Sequence, residues 1–465
     1  MNTIWFPDLS ATTRPKYQVL IEAIRNAVQS GDLVVGERLP PVRELGWQLK
    51  VTPGTVARAY TKLTDEGMLQ AAVGRGTFVA DTKARARLPV AGKSKLTGTK
   101  PEQIDLQKVA LPDVGQQALI QRCYGDMAKA GNANLLNYPT LASKQALRLA
   151  ATKWLSGAQL GNFQPEDIAL TNGGQNAVML VLQSILKDPD PVVFVEDLSY
   201  SGFRHAAQLL RAKVVGLKSD EFGVRPDELE AACRSYGAQV FCTSPEVNNP
   251  TVMRTGLARR QELAEIARSY ECQVLEDACY RIAGSDLPSY RALLPDLGWY
   301  VTSISKSISP ALRVGFALAP QNNTPKLLRV ACYNYFGISI PVCDLSQRLL
   351  NAPEIDQISQ DVRDTINCYI RAAVNVLGRF DLQWHEDVPF LWLRLPRGWR
   401  AGAFCMAAEK RGVLLRSADD FALIDGRAPH AVRISVNGQI ALQHFEEAIS
   451  VLEQLLSDPP DSLEA

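Results

Sequence analysis

The chain is poor in the residues that build metal centres and disulfide scaffolds. Its 465 residues include only four histidines, none paired at helical spacing. The nine cysteines (Cys123, Cys233, Cys242, Cys272, Cys279, Cys332, Cys343, Cys368 and Cys405) are odd in number, scattered, and never spaced C-x-x-C. That pattern argues against a zinc site or a disulfide framework and reads as buried, reduced thiols. No apolar run reaches the ~18 residues a membrane span needs. The opening MNTIWFPDLS lacks the basic and apolar regions of a secretory signal. The expectation is a cytoplasmic protein with no metal and no membrane partner. The length exceeds one ordinary core, so at least two domains are expected.

Charge is balanced overall, with 50 Lys+Arg against 49 Asp+Glu, but not along the chain. Residues 1–100 hold 15 basic and 8 acidic side chains, and the remainder holds 35 and 41. An anionic partner is therefore expected for the N-terminal part alone.

That part divides into periodic segments. KYQVLIEAIRNAVQSG (16–31) places Tyr17, Leu20, Ile21, Ile24 and Val28 on one helical face, and Gly31 stops it. LPPVRELGWQLK (39–50) predicts a second helix with Val42, Leu45 and Leu49 inward. VTPGTVARAYTKLTDEG (51–67) predicts a third, capped by Thr52, with Pro53 at its first position. MLQAAVGRGTFVA (68–80) reads as a hairpin. Three helices and a hairpin make a winged helix-turn-helix over residues 14–80. A purely structural module is the plainer alternative. Against it, Thr52, Gly54, Thr55 and Arg58 keep the open side of the third helix small or polar. Arg75 sits between two glycines at the hairpin tip, suited to a phosphate or a minor groove. Residues 81–104 have no apolar period and six Lys/Arg, which predicts a flexible basic linker.

From residue 105 to about 460, short apolar runs such as PVVFVED (191–197), AQVFCTS (238–244), CQVLED (272–277) and WYVTSIS (299–305) alternate with helical stretches. Such alternation predicts an α/β domain with a mostly parallel sheet. Polar residues at the carboxyl ends of such strands converge on a ligand. The candidates, in order, are Gly174 and Gln175 in TNGGQ, Tyr200, Asn249, Asp277 and Tyr280 in EDACY, then Ser303, Ser305, Lys306 and Arg313. Singly, each has a plainer explanation as a turn, a cap or a solvated charge. Together they match the needs of pyridoxal phosphate. Lys306 offers the Schiff-base amine, and Asp277 a carboxylate against the pyridine nitrogen. Asn249 and Tyr280 offer donors to the ring hydroxyl, and Tyr200 an aromatic face. Gly174–Gln175 at a helix start, Arg313 and Ser303 would meet the phosphate.

The motifs ERLPPVREL, VTPGTVARAY and GRGTFV resemble the DNA-binding domain of GntR-family bacterial regulators. That resemblance implies DNA contacts from Arg43, Thr52, Gly54, Thr55 and Gly76. Residues 105–460 resemble fold-type I, class I aminotransferases. The resemblance implies that Arg433, in AVRISVN, clamps an effector carboxylate. It also implies that Tyr138, in NYPTLAS, reaches the cofactor of a neighbouring subunit. The whole chain is similar to the MocR subfamily, which implies a head-to-tail homodimer on a double-stranded DNA operator. An amine-bearing, amino acid-like effector would then be sensed by external aldimine formation at Lys306. A working aminotransferase carrying a DNA-binding domain is the alternative. Three positions depart from the family pattern: Pro53 where many relatives carry arginine, Val252 where glycine is usual, and a missing glycine soon after Tyr138.

Overall fold

The computed structural model describes residues 15–34, 36–65, 68–72, 76–79, 103–131, 135–187, 189–237, 239–280, 284–423 and 426–458. The chain divides into two units, residues 1–99 and 100–465.

In the first unit α1 (Lys16–Ser30), α2 (Val42–Gln48) and α3 (Pro53–Asp65) enclose a core of Leu20, Ile24, Leu45, Val56, Ala59 and Leu63. These are the inward faces that the 3.6-residue period marks. α1 ends at Gly31, whose φ of 86° places it in the left-handed region glycine tolerates. The Thr52 hydroxyl accepts the Thr55 N–H at 3.3 Å, the cap expected before Pro53. A Cβ on Gly46 would lie 3.2 Å from the Val51 carbonyl oxygen, so α2 rests against the entry to α3. The hairpin forms from β2 (Leu69–Ala72) and β3 (Gly76–Val79). One boundary differs from expectation. Residues 38–39 are a strand, β1 (Arg38–Leu39), pairing antiparallel with β3, and α2 starts only after the two prolines. Ladder pairing with the wing satisfies backbone groups that Pro40 and Pro41 could not leave in a helix.

The second unit is built on a seven-stranded sheet. In chain order its strands are β4 (Ile168–Thr171), β5 (Val192–Glu196), β6 (Lys213–Leu217), β7 (Val240–Thr243), β8 (Gln273–Asp277), β9 (Gly298–Ser303) and β10 (Gly315–Leu318). Their order across the sheet is β4-β10-β9-β8-β7-β5-β6, and only β10 runs against the others. Both faces are covered. Val193, Val195, Cys242, Leu275 and Val301 pack to one side with Ala177, Val178 and Val181 of α4 (Gly174–Ile185). Val192, Phe194, Phe241 and Val274 pack to the other with Leu229 and Leu263. Burial on both faces is why these strands read as unbroken apolar runs rather than alternating ones.

A smaller antiparallel sheet follows, from β11 (Leu382–Gln383), β12 (Phe390–Arg394), β13 (Arg416–Ser417) and β14 (Ala431–Ser435), in the order β11-β12-β14-β13. Long helices α5 (Ile355–Leu377) and α6 (Leu442–Ser457) share a core with it. Residues 80–102, most of the expected linker, lie outside the described residues. Ile104, expected at its end, is already paired with Val413. Two cysteines contradict the expectation of burial, Cys332 and Cys368, which are exposed on helices. No described helix is long and apolar enough to cross a membrane.

Candidate functional site

Thr171, Glu196, Thr243, Asp277 and Ser303 end their strands along one edge of the large sheet. Because β10 is antiparallel, its first residue, Gly315, pairs with both Ser303 and Thr171. Arg313, just before it, is thereby delivered to the same edge. A parallel strand would have sent it to the opposite one.

At this edge α4 begins without a side-chain cap, and its N-cap residue Gly173 has φ 84°. A Cβ on Gly173 would lie 2.6 Å from Nη2 of Arg313, whose own backbone is left-handed at φ 51°. Free N–H groups at a helix start and a guanidinium over them form an anion cradle. Beneath lies Cys279: a Cβ on Gly174 would meet its Sγ at 2.3 Å. Burial holds its thiol far above the ordinary thiol range, and the charge of the neighbouring Asp277 adds to the effect. Ser305 Oγ is buried with no hydrogen-bond partner among the described residues.

Asp277 is buried, and its Oδ1 accepts the backbone N–H of Cys279 at 2.9 Å. Burial raises its pKa, an effect that Cys279 opposes. A carboxylate stripped of water favours a cationic or N–H partner. The Lys306 amine stands 5.5 Å from the centroid of the Tyr280 ring. Tyr280 in turn packs edge-on to Phe390 at 5.1 Å.

Arg433 is 3% exposed, between the rings of Phe390 and Phe421. Its Nη1 donates to Asn249 Oδ1 at 2.6 Å and its Nη2 to the Gln107 carbonyl at 2.7 Å. Its Nε is buried and unpartnered among the described residues. Burial lowers its pKa, countered by Tyr280. Arginine has no acceptor, so the contact fixes the Asn249 amide with its oxygen toward Arg433. The Asn249 NH₂ is thereby turned away as a donor. The turn carrying Asn249 is held from behind. Asn248 donates to the buried Glu196 at 3.0 Å and accepts from the Thr251 hydroxyl at 2.8 Å. Val252, at φ 66°, occupies the left-handed region, which glycine adopts without cost and a β-branched residue does not. Its buried side chain compensates by packing with Phe390 and Trp392.

Residues 102–452 match the family described as aminotransferase class I and II. The chain belongs to that family. Residues 16–79 match the gntR family of bacterial regulatory proteins. It is therefore a GntR-type regulator fused to an aminotransferase-like domain, the combination of the MocR subfamily. It is 27% identical to the HTH-type transcriptional regulator YdeF of Bacillus subtilis, over 98% of this chain and 97% of that one. It is 26% identical to the probable rhizopine catabolism regulatory protein MocR of Rhizobium meliloti, over 66% of each. Among solved structures, the α-aminoadipate aminotransferase LysN of Thermus thermophilus shares the fold. The TM-score is 0.67 at 21% identity, covering 77% of this chain and 92% of that one.

The cofactor of this aminotransferase-like domain is pyridoxal 5'-phosphate, and the residues present fit it. The uncapped α4 start with Arg313 and Ser303 suits the phosphate, Asp277 the ring nitrogen, Asn249 and Tyr280 the ring hydroxyl, and Lys306 the aldehyde. When bound, the group supplies an electrophilic carbon and an electron-withdrawing ring. The Gln175 side-chain amide accepts from the Tyr200 hydroxyl at 2.8 Å and donates to the Gly202 carbonyl at 3.0 Å. It therefore holds Tyr200 in place, and its backbone N–H lies in the first turn of α4. A Cβ on Gly202 would lie 2.1 Å from Gln175 Oε1, so glycine is needed for this latch. Tyr138 is 78% exposed beside Phe336 and has no place in this cluster.

Of the DNA-side residues, Arg43, Thr52, Gly54 and Arg58 are exposed, and Thr55 is half-buried. The Arg58 guanidinium stacks on Tyr17 at 4.1 Å. Gly76 opens β3, and Arg75 lies outside the described residues. Cys279, Gln107, Phe390 and Phe421 escaped the sequence reading. Cys279 had a signal, lying between Asp277 and Tyr280 in EDACY. The others reach Arg433 from segments distant in sequence that carry no local motif.

Proposed function

We propose that this protein is a cytoplasmic, homodimeric transcription regulator that binds a double-stranded DNA operator and senses an amine-bearing, amino acid-like metabolite. The metabolite takes the place of Lys306 on the cofactor, and the exchange changes how the dimer holds DNA. The observation that carries this reading is the pairing of Arg433 with Asn249. A buried guanidinium with an unpartnered Nε stands one Tyr280 away from the Lys306 amine. An effector with an amine and a carboxylate would meet both. Arg433 orients Asn249, so occupancy of the carboxylate position is felt at the cofactor ring through one side-chain contact.

The residues assigned to the cofactor are Gly174, the Gln175 backbone, Tyr200, Asn249, Asp277, Tyr280, Ser303, Ser305, Lys306 and Arg313. Tyr138 is assigned to the partner's site. Its exposure supports that role, together with that of Leu135, Leu136, Leu141, Tyr333 and Phe336, since an apolar surface of this extent favours burial against another chain. Residues 14–80 are assigned to DNA, 81–104 to a tether, and 105–460 to effector binding. Allostery then requires a coupling free energy that is reciprocal, so operator DNA changes effector affinity by the factor by which effector changes DNA affinity.

Titration of the purified protein with amino acids, followed by the absorbance of the lysine-bound cofactor, tests this reading. A band that shifts with effector in the wild type and is missing from Lys306→Ala is expected. No band in the wild type, or an unaltered band in the variant, would refute it. Keto-acid production over many cycles distinguishes a regulator from a working aminotransferase.

A further inference from the structure

Trp47 is 83% exposed on α2, although the same helix buries Leu45 and Gly46. Its direction follows from helix geometry at about 100° per residue. Gly46 faces the entry to α3, since a Cβ there would meet the Val51 carbonyl oxygen at 3.2 Å and Pro53 N at 3.4 Å. Leu45 lies about 100° to one side, in the core. Arg43, about 60° away on the other side, and Trp47, about 100° away, stand together, one turn apart, beside the start of α3. Exposed Thr52, Pro53 and Gly54 form that start. Trp47 thus occupies the border of the surface assigned to DNA, next to a guanidinium and opposite the hydrophobic core. Nothing among the described residues of its own domain accounts for so exposed an indole.

We propose that Trp47 is a DNA-contact residue, its indole N–H donating to a backbone phosphate and its ring lying along the adjoining sugar. The inference rests on the reading that the N-terminal unit binds DNA, and it deepens that reading. Pro53 brings no side-chain donor to the base edges, and Trp47 supplies affinity from the backbone instead. Indole is a donor only and is uncharged, so it suits a phosphate oxygen without displacing a counterion. Arg43 beside it does displace one. The two residues therefore leave different signatures in salt dependence.

The test is fluorescence anisotropy of the full-length protein with a mixed-sequence duplex of about 30 bp, long enough for two half-sites, across a salt series. Trp47→Ala should weaken binding about tenfold for each subunit engaged, so about 100-fold for a dimer on two half-sites, the worth of a hydrogen bond to a charged group, and leave the slope of log K against log salt unchanged. Trp47→Phe, which keeps a ring and loses the donor, should fall between. Arg43→Ala should reduce the slope by roughly 1 to 2 for a dimer. Trp47 is exposed, so Trp47→Ala should keep the wild-type melting curve. Wild-type affinity in Trp47→Ala overturns the proposal, as does a loss confined to one operator sequence. A weakened dimer with intact duplex affinity would assign Trp47 to a second copy of the chain and overturn it equally. If the wild type itself shows no salt-dependent binding, the regulator reading falls, and this proposal with it.

Discussion

Gly174 and Cys279 form the tightest contact of the anion cradle, and it can be separated from every other role by one pair of substitutions. In Gly174→Ala the new Cβ lies 2.3 Å from Cys279 Sγ, more than 1 Å inside contact distance. The thiol has only one torsion through which to move away. Overpacking of this kind costs about 1–3 kcal/mol. With Cys279→Ala in place the next neighbours are the residue 279 Cβ at 3.8 Å and Ser303 Oγ at 3.9 Å, ordinary contacts. Gly174 starts a helix, so alanine there should then stabilise by about 0.5–1 kcal/mol. The sign of the Gly174→Ala effect should thus reverse with the residue at 279, a coupling of at least about 1.5 kcal/mol. Urea denaturation of the four proteins in the cycle measures it. Additive effects, or a destabilising Gly174→Ala in both backgrounds, would show that Cys279 does not floor the cradle.

Lys306→Ala should abolish labelling of the site by borohydride reduction of the native protein, leaving DNA affinity without effector within about twofold; peptide mapping and anisotropy read the two. Arg433→Lys loses the planar fork and should weaken effectors bearing a carboxylate about 10–100-fold, leaving simple primary amines nearly unchanged in the same titration. Glu196, which accepts from the Thr243 hydroxyl at 2.6 Å, is pushed up from 4.5 to about 7 by burial. A carboxyl whose folded value is raised takes up a proton on folding. Its favourable contribution is therefore complete below about pH 4.5 and is lost as pH rises through about 7. Glu196→Gln should remove that loss, so wild type should fall relative to the variant between those pH values, by up to about 3 kcal/mol in unfolding free energy from urea denaturation. A constant difference across that range would contradict the burial of a titrating carboxyl.

The sequence carried the large sheet well because strands buried on both faces are apolar without interruption, as PVVFVED, AQVFCTS and CQVLED are. It also carried the order of the site, since each strand end in a doubly covered sheet is followed by the residues it delivers. Two things were not legible. The reversed direction of β10, which brings Arg313 to the shared edge, leaves no mark in a four-residue strand, because pairing sense is decided by neighbours. The Arg433–Asn249 and Gln175–Tyr200 contacts join residues 184 and 25 positions apart, and side-chain pairing across such distances has no periodic signature. Val252 shows the intermediate case. Its departure from glycine was visible, but the core of Phe390 and Trp392 that compensates for φ 66° was not.

The central claim is that exchange at Lys306 is what the DNA-binding unit responds to. Absorbance of the cofactor and anisotropy of labelled operator DNA, recorded together during one effector titration, test it most directly. Coincident midpoints are expected for the two signals in the wild type, and neither change in Lys306→Ala. A DNA response that survives in Lys306→Ala, or that follows a midpoint of its own, would contradict it.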